Sequence, residues 1–464
     1  MQYRSEIDGL RALAVMSVVI FHFFPNFNSM GYLGVDIFFV ISGFLITTHL
    51  ISMNGYGVYL YLKSFYSRRI KRIFPALFVF LTFTSIFAFI ILIAVDFENY
   101  LSSLIASKTF WANWYFWRDG GYFGTEDKLK PLLHMWSLSV EEQFYIFYPM
   151  FLLFAFWLNK KIKLDILFLV GFATISSFLL WIYLYYIDGS NPAFFLLPTR
   201  SWQFGLGAIV AILHNRLMFK FEISSSIYFI LTLSLLLIGL FWSFSQFVNT
   251  IVVSFSTSLF IYLKPKQDNY LAILFRNYIT IFIGKMSYSL YLYHWPIVVF
   301  LGYYYIETPP FWMSFILLLL SGVIGYLSFK LIEKPFRYNF PLKYSLFLII
   351  LTIIINLCIF FMSLGKDSKG FVNQWARASG SNFRCSPDSF FPFGASRACM
   401  LNIGTKKNDS IVLLGNSHAQ MYSPLLIKNL REFNLTGLLV PLNGCLPTTL
   451  VNRSKLCIKR AKQN

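Results

Sequence analysis

The sequence predicts an all-α polytopic membrane protein of about eleven transmembrane helices, followed by the start of a small α/β domain. Three observations carry this. The 464 residues are 57% hydrophobic and only 13% charged, against about 25% charged in an ordinary soluble domain. The apolar residues fall into eleven runs near the roughly 17–25 residues that a helical span needs. Lys and Arg recur in alternate connections between those runs, as topogenic charges do. Such a composition excludes a cytosolic enzyme, a disordered chain and a disulfide mini-protein, because too little polar sequence exists to build a wet surface.

Taken in order, the runs lie near 8–25, 32–52, 74–95, 139–157, 164–187, 200–214, 223–243, 247–263, 278–302, 311–332 and 344–364. Arg4 precedes the first and Arg11 lies within it. No small-residue cleavage site follows, so it reads as a retained helix rather than a signal peptide. The second to third connection carries Lys63, Arg68, Arg69, Lys71 and Arg72, and the fourth to fifth carries Lys160, Lys161 and Lys163. Arg216 with Lys220, then Lys264, Lys266 and Arg276, then Lys334, Arg337 and Lys343 continue the alternation. Opposite connections hold only Lys108, Arg118, Lys128, Lys130 and Arg200. The N-terminus is therefore expected in the cytoplasm, and an odd number of spans puts the C-terminal region outside. Cys385, Cys399, Cys445 and Cys457 all follow the last run, which fits an oxidising compartment. The stretch 96–138, rich in Trp and Phe, reads as an interfacial amphipathic or re-entrant element. The net charge of +19 is spread along the chain, so a nucleic-acid partner is not expected; the expected partner is the lipid bilayer.

Ionisable residues inside spans are costly and mark a pathway or a site by default. Arg11 and His22 are eleven apart on the first helix, nearly on one face and roughly 16 Å apart along the axis. Asp36 lies in the second, His134, Glu141 and Glu142 before and within the fourth, and His294 in the ninth. A histidine beside a carboxylate is a general base near neutral pH. His22 is the candidate, and Asp36 or Glu142 the candidate carboxylate to orient it. Arg69 and Arg72, one helical turn apart, could clamp phosphates; topology alone would also explain them. His294, beside Trp295 and Pro296, reads more simply as a packing residue at an interface.

These residues resemble the membrane acyltransferase-3 family, and within it the bacterial members that carry a fused outer SGNH-type esterase domain. Arg11 and His22 match its Arg/Lys-x10-His pattern, Val35-Asp36-Ile-Phe-Phe-Val-Ile-Ser42-Gly-Phe a second block, and Arg69 with Arg72 its Arg-x-x-Arg pattern. His134-Met-Trp-Ser-Leu-Ser-Val-Glu141-Glu142-Gln-Phe-Tyr, Thr199-Arg200-Ser-Trp, Tyr288-Ser-Leu-Tyr-Leu-Tyr-His294-Trp-Pro and Glu333-Lys-Pro-Phe-Arg337 follow in the family's order. The resemblance implies an acyltransferase moving an acyl group other than aminoacyl, usually acetyl, from cytoplasmic acyl-coenzyme A to a hydroxyl of a cell-surface carbohydrate. Lipopolysaccharide O-antigen and peptidoglycan are such acceptors, and the bacterial inner (cytoplasmic) membrane is the expected location. On this reading His22, Asp36 and Glu142 are catalytic, Arg11, Arg69 and Arg72 bind acetyl-CoA, and no metal is used. A proton-coupled transporter or an inactive truncated pseudoenzyme are the alternative readings.

The chain is expected to divide into an acyltransferase domain of about ten helices at 1–340, an extra transmembrane helix at 341–364, a linker at 365–409 and a domain fragment at 410–464. In the fragment, Ile411-Val-Leu-Leu-Gly-Asn416-Ser417 reads as a buried strand entering a turn and helix. It resembles the first SGNH block, with Ser417 as nucleophile and Asn416 where Asp is usual. Gly444, before Cys445, resembles the second block. The family's later Asn and Asp-x-x-His blocks are absent from these 464 residues, so Ser417 is expected to be a remnant without its histidine. Disulfides Cys385–Cys399 and Cys445–Cys457 are the local choice among three connectivities; free thiols are the alternative.

Overall fold

The protein is described here by a computed structural model covering residues 3–25, 27, 30–92, 94–118, 129–187, 190–216, 225–242, 244–263, 270–304, 309–365, 391–393, 396–403, 410–415 and 423–441. Two compact units divide it, Met1–Ser363 and Leu364–Asn464.

The first unit is helical. Its elements are α1 (Ser5–Phe23), α2 (Gly34–Ser52), α3 (Val58–Ile91), α4 (Ala94–Lys108), α5 (Ala112–Arg118), α6 (Met135–Ile162), α7 (Ile166–Ile187) and α8 (Ser190–Phe195). There follow α9 (Leu197–Arg216), α10 (Ser225–Phe241), α11 (Gln246–Leu263), α12 (Tyr270–Arg276), α13 (Tyr278–Tyr304), α14 (Phe311–Ser328), α15 (Lys334–Tyr338) and α16 (Leu342–Gly365). Every apolar run coincides with a helix. The largest difference is α3, which begins 16 residues before the run at 74–95. The residues ahead of that run are basic but good helix formers, so the helix outlasts its apolar stretch. This extension places Arg69 and Arg72 on a rigid rod rather than in a loop. The aromatic stretch 96–138, expected as an interfacial amphipathic or re-entrant element, is largely helical where it is described. It supplies α4 and α5, and Asn113 and Phe116 of α5 are fully buried. Asn113 exchanges hydrogen bonds with Gln143 of α6 and donates to the Phe195 carbonyl.

Among the described residues, six helical segments are long and apolar enough to cross a membrane: Gly31–Ser52, Val58–Ile91, Ile166–Ile187, Gln246–Leu263, Phe311–Tyr338 and Leu342–Ser363. The other long helices, α1, α6, α9 and α13, carry much of the buried polar cargo. Large apolar side chains face outward on α7 (Phe172, Ile175, Leu179) and α16 (Phe347, Ile354, Phe361), a surface that suits lipid. Helix α16 is also tied in by polar bonds. Asn356 donates to Thr82 of α3 at 2.7 Å and accepts from Ser85 at 2.7 Å, and Ser85 meets Tyr100 of α4 at 2.8 Å.

Small residues let the central helices close on one another, the usual device where lipid removes a hydrophobic drive for packing. A Cβ on Gly284 of α13 would overlap the Asp8 carbonyl of α1, and one on Gly207 of α9 would overlap the Val40 carbonyl of α2. Because backbone blocks both, neither can yield by a rotamer change. Gly284→Val is therefore expected to cost about 1–3 kcal/mol or more and to lower the detergent-solubilised melting temperature; an unchanged melting temperature would show that α1 and α13 can part freely.

The second unit holds β1 (Phe391–Phe393), β2 (Ser396–Asn402), β3 (Ser410–Gly415), α17 (Ser423–Glu432) and β4 (Thr436–Pro441). The sheet order is β1-β2-β4-β3. β3 and β4 pair in parallel from Ser410↔Thr436 to Gly415↔Pro441, with β2 antiparallel to β4. Parallel neighbours require a crossover, and α17 lies between them in sequence. A strand followed by a helix, as expected at the start of an α/β domain, is thus present, while the turn between them lies outside the described residues; the strand, expected to be buried, has Ile411 and Val412 exposed. Cys399 is buried on β2 and disulfide-bonded. Ser417, Gly444, Cys385, Cys445 and Cys457 lie outside the described residues.

Candidate active site

Four helices of the first unit, α1, α2, α3 and α6, converge with α13 on one cavity of about 780 Å3, counting its open mouth. Arg11, Arg69, Arg72, Ser42, Glu141, Glu142, Tyr145, Ser287 and Tyr291 are its polar lining, and Phe38, Phe39, Leu45 and Ile46 of α2 form an apolar wall.

Each arginine is held differently. The Arg11 guanidinium donates to Ser287 of α13 at 2.9 Å and pairs with Asp8, one turn back, at 3.2 Å. Arg69 lies over the Phe65 and Tyr145 rings, 5.6 and 5.1 Å from their centroids. Among the described residues neither Arg69 nor Arg72 has a hydrogen-bond or ion-pair partner. The three arginines that the sequence groups are therefore brought together, and two of them keep their whole donor set for a ligand. Guanidinium forks of this kind match phosphate oxygens.

Two carboxylates share the cavity. Glu141 accepts from both Ser42 and Tyr145, whose hydroxyl oxygens lie 3.2 Å apart. Glu142 makes no hydrogen bond among the described residues and faces the arginines. Tyr145 and Ser287 were not singled out by the sequence, and Glu141 was named there without a role. For Glu141 the adjacent, identical Glu142 hides which of the two is engaged.

The inner wall of the cavity is Ser137 and Tyr291, hydrogen-bonded to each other at 2.6 Å. Behind them lies a cluster of three histidines from three elements. Nδ1 of His22, near the end of α1, is 3.0 Å from Nε2 of His294 on α13. The His134 ring, just before α6, stands edge-on to His294 with centroids 5.7 Å apart. The Tyr291 ring lines the cavity and lies 5.5 Å from His134 and 5.3 Å from His294. Trp295 packs edge-on against His22 at 4.6 Å and donates to the Lys130 carbonyl. Among the described residues no group of His, Cys, Asp and Glu is arranged to hold a metal ion.

This placement differs from the expectation that Asp36 or Glu142 orients His22. Asp36 is buried in an ion pair with Arg200 of α9 at 2.9 Å and accepts from Gln203 at 2.6 Å. Arg200 in turn donates to the Phe194 carbonyl and lies over the Phe194 and Trp136 rings. Glu142 belongs to the arginine cavity. Among the described residues His22 instead meets His294 through its Nδ1, a residue that the sequence reads as packing.

Away from the cavity, Arg216 at the end of α9 grips both oxygens of Asp165, before α7, at 2.5 and 2.7 Å. That guanidinium holds the Asp165 carboxyl below its ordinary range. The contact puts the α6–α7 turn and the end of α9 on one side of the bundle, as the alternating basic connections require.

Comparison with known proteins agrees with the geometry. Residues 4–331 match the acyltransferase domain of the acyltransferase-3 family, and residues 384–464 match an SGNH domain of the kind fused to such domains. A Staphylococcus aureus (strain MRSA252) protein named "Putative O-acetyltransferase SAR0937" is 34% identical over 398 residues, 80% of this chain and 65% of its own length. O-acetyltransferase OatA of S. aureus (strain NCTC 8325 / PS 47) is 33% identical over 355 residues, 72% of this chain and 57% of its own. The chain thus spans about three fifths of the length of these curated relatives. No solved structure matches it. An acyltransferase match covering more than half of the residues, together with the helical bundle, identifies the chain as a multi-pass membrane protein that belongs to the acyltransferase-3 family, with an SGNH domain fused behind the bundle.

Proposed function

We propose that this protein is a membrane O-acetyltransferase that moves an acetyl group from acetyl-coenzyme A to a hydroxyl of a bacterial cell-surface carbohydrate. The observation that carries the reading is the cavity lined by Arg11, Arg69 and Arg72, whose Tyr291 packs against His294, the residue that meets His22 at 3.0 Å. On this reading the bundle has eleven spans in the cytoplasmic membrane, with the N-terminus and the arginine mouth in the cytoplasm.

Arg69 and Arg72 take the nucleotide phosphates, and Arg11, fixed by Asp8 and Ser287, takes a phosphate deeper along the arm. Pantetheine runs along the apolar wall of α2 toward Ser137 and Tyr291. Movement of the Tyr291 ring admits the thioester to His22. His22 then takes the proton from the acceptor hydroxyl as its oxygen attacks the thioester carbonyl; the new C–O bond forms, the C–S bond breaks, and the proton passes to the departing thiolate. Asp36 acts through Arg200 to fix α2 against α9, and Glu142 balances the arginine charge when the donor is absent.

Titration of the solubilised protein with acetyl-coenzyme A tests the donor. Arg69→Ala and Arg72→Ala are each expected to weaken binding by about tenfold or more, since a hydrogen bond to a charged group contributes about 1.5–3 kcal/mol. Acetyl-pantetheine, which lacks the nucleotide phosphates, is expected to bind weakly and equally to both variants and the parent. Arginine variants that bind acetyl-coenzyme A as well as the parent would move the donor site elsewhere.

A further inference from the structure

Pro296 lies inside α13. Its ring nitrogen carries no hydrogen, so the Leu292 carbonyl, four residues back, has no helical donor. Leu292 is fully buried, and a buried carbonyl without a partner is costly. The structure supplies the donor from outside the helix: His134 Nε2 lies 3.1 Å from the Leu292 oxygen. A carbonyl only accepts, so Nε2 of His134 carries the hydrogen. Its other nitrogen, Nδ1, is buried and has no partner among the described residues, which is the arrangement of a neutral imidazole used as a donor alone.

The same reasoning fixes the other two rings. His294 Nδ1 lies 2.6 Å from the Tyr291 carbonyl and must donate to it. In the neutral ring Nε2 is then an acceptor, and it faces His22 Nδ1 at 3.0 Å. His22 therefore carries its hydrogen on Nδ1, and its Nε2 keeps the lone pair. The tautomer of His22 is dictated step by step from the backbone of the turn that Pro296 opens.

We propose that Pro296 and His134 form a positioning device, in which the proline opens the α13 turn, His134 satisfies the carbonyl so freed, and His294, held on the adjacent carbonyl, sets the His22 tautomer. His134 and His294 are positioning residues in this scheme; neither needs to touch substrate. The inference rests on the acyl-transfer reading only where it names His22 as the reacting group, and the proton positions can be read without turnover.

The test uses the full chain in lipid, with 15N-labelled histidine and solid-state NMR, the His22 signals being identified by their loss in His22→Gln. In the parent, His22 is expected to show a protonated Nδ1 and a bare Nε2. His134→Ala is expected to give a mixture of His22 tautomers and to lower kcat by about ten- to a hundredfold, with KM for acetyl-coenzyme A unchanged. His134→Ala/Pro296→Ala restores a backbone N–H to the Leu292 carbonyl, and should recover the single tautomer and most of kcat. His134→Gln, which keeps a side-chain N–H, should behave like the parent and serves if His134→Ala does not fold. A parent His22 protonated on Nε2, or a folded double variant no better than His134→Ala, overturns the device. Full transfer by His22→Ala would instead remove the acyl-transfer role of His22, while the spectra would still decide the proton positions.

Discussion

His22→Ala is expected to lower acetyl transfer by at least about 10²-fold, the lower end of what a positioned general base contributes. Acetyl-coenzyme A affinity should be unchanged. The two halves of this expectation have separate structural grounds. Binding is assigned to Arg11, Arg69 and Arg72 at the cavity mouth. His22 lies on α1 eleven residues, about 16 Å, from Arg11, and it meets His294 rather than the arginines. Loss of its imidazole should therefore remove the step and leave the donor seated. Transfer is best followed as O-acetyl groups on the surface polysaccharide by proton NMR in strains whose polysaccharide is unmodified, with protein level in the membrane as control. Parallel loss of binding and transfer would mean that the histidine cluster shapes the donor site itself. Undiminished transfer would remove His22 from the mechanism. An acetyl adduct on His22, trapped by mass spectrometry, would make it an acyl carrier instead of a base.

The spans were the most legible part of the sequence, because a membrane helix announces itself by an uninterrupted apolar run. Each run coincided with a helix, and the largest shift of an edge is the basic start of α3. Arg11, Arg69 and Arg72 were legible for a similar reason: a charge beside or within an apolar run needs a purpose. What could not be read was pairing across the bundle. Asp36, Glu142 and His22 are all buried polar groups, and nothing in their spacing says that Asp36 joins Arg200, 164 residues away, while His22 joins His294, 272 away. Such pairs are set by which helices touch, and that depends on small-residue contacts such as Gly207 against Val40 and Gly284 against Asp8. His134 was visible as a titratable residue but not as a hydrogen-bond donor to another helix. Its partner is a backbone carbonyl, which has no letter in the sequence.

The Asp36–Arg200 pair yields the largest stability effect. Both side chains are only 2% exposed, and removing one partner of a buried pair leaves a charge with no compensation, at about 3–5 kcal/mol. Arg200→Met is therefore expected to abolish accumulation in the membrane or to lower the melting temperature sharply. Asp36→Asn should be milder, since its amide can still meet Gln203, and Arg200 keeps the Phe194 carbonyl and two ring faces. The double variant Asp36→Asn/Arg200→Met removes both charges and should regain more than half of the loss from Arg200→Met, because neutral neighbours carry no desolvation debt. Activity of that double variant then separates two roles for Asp36. If Asp36 only fixes α2 against α9, transfer should return along with stability, for α2 still presents Phe38, Phe39 and Ser42 to the cavity. A stable double variant without transfer would give the carboxylate itself a part in the reaction. The geometry favours the first outcome, since both partners of Asp36 lie on α9 and its one bonded oxygen is already claimed twice.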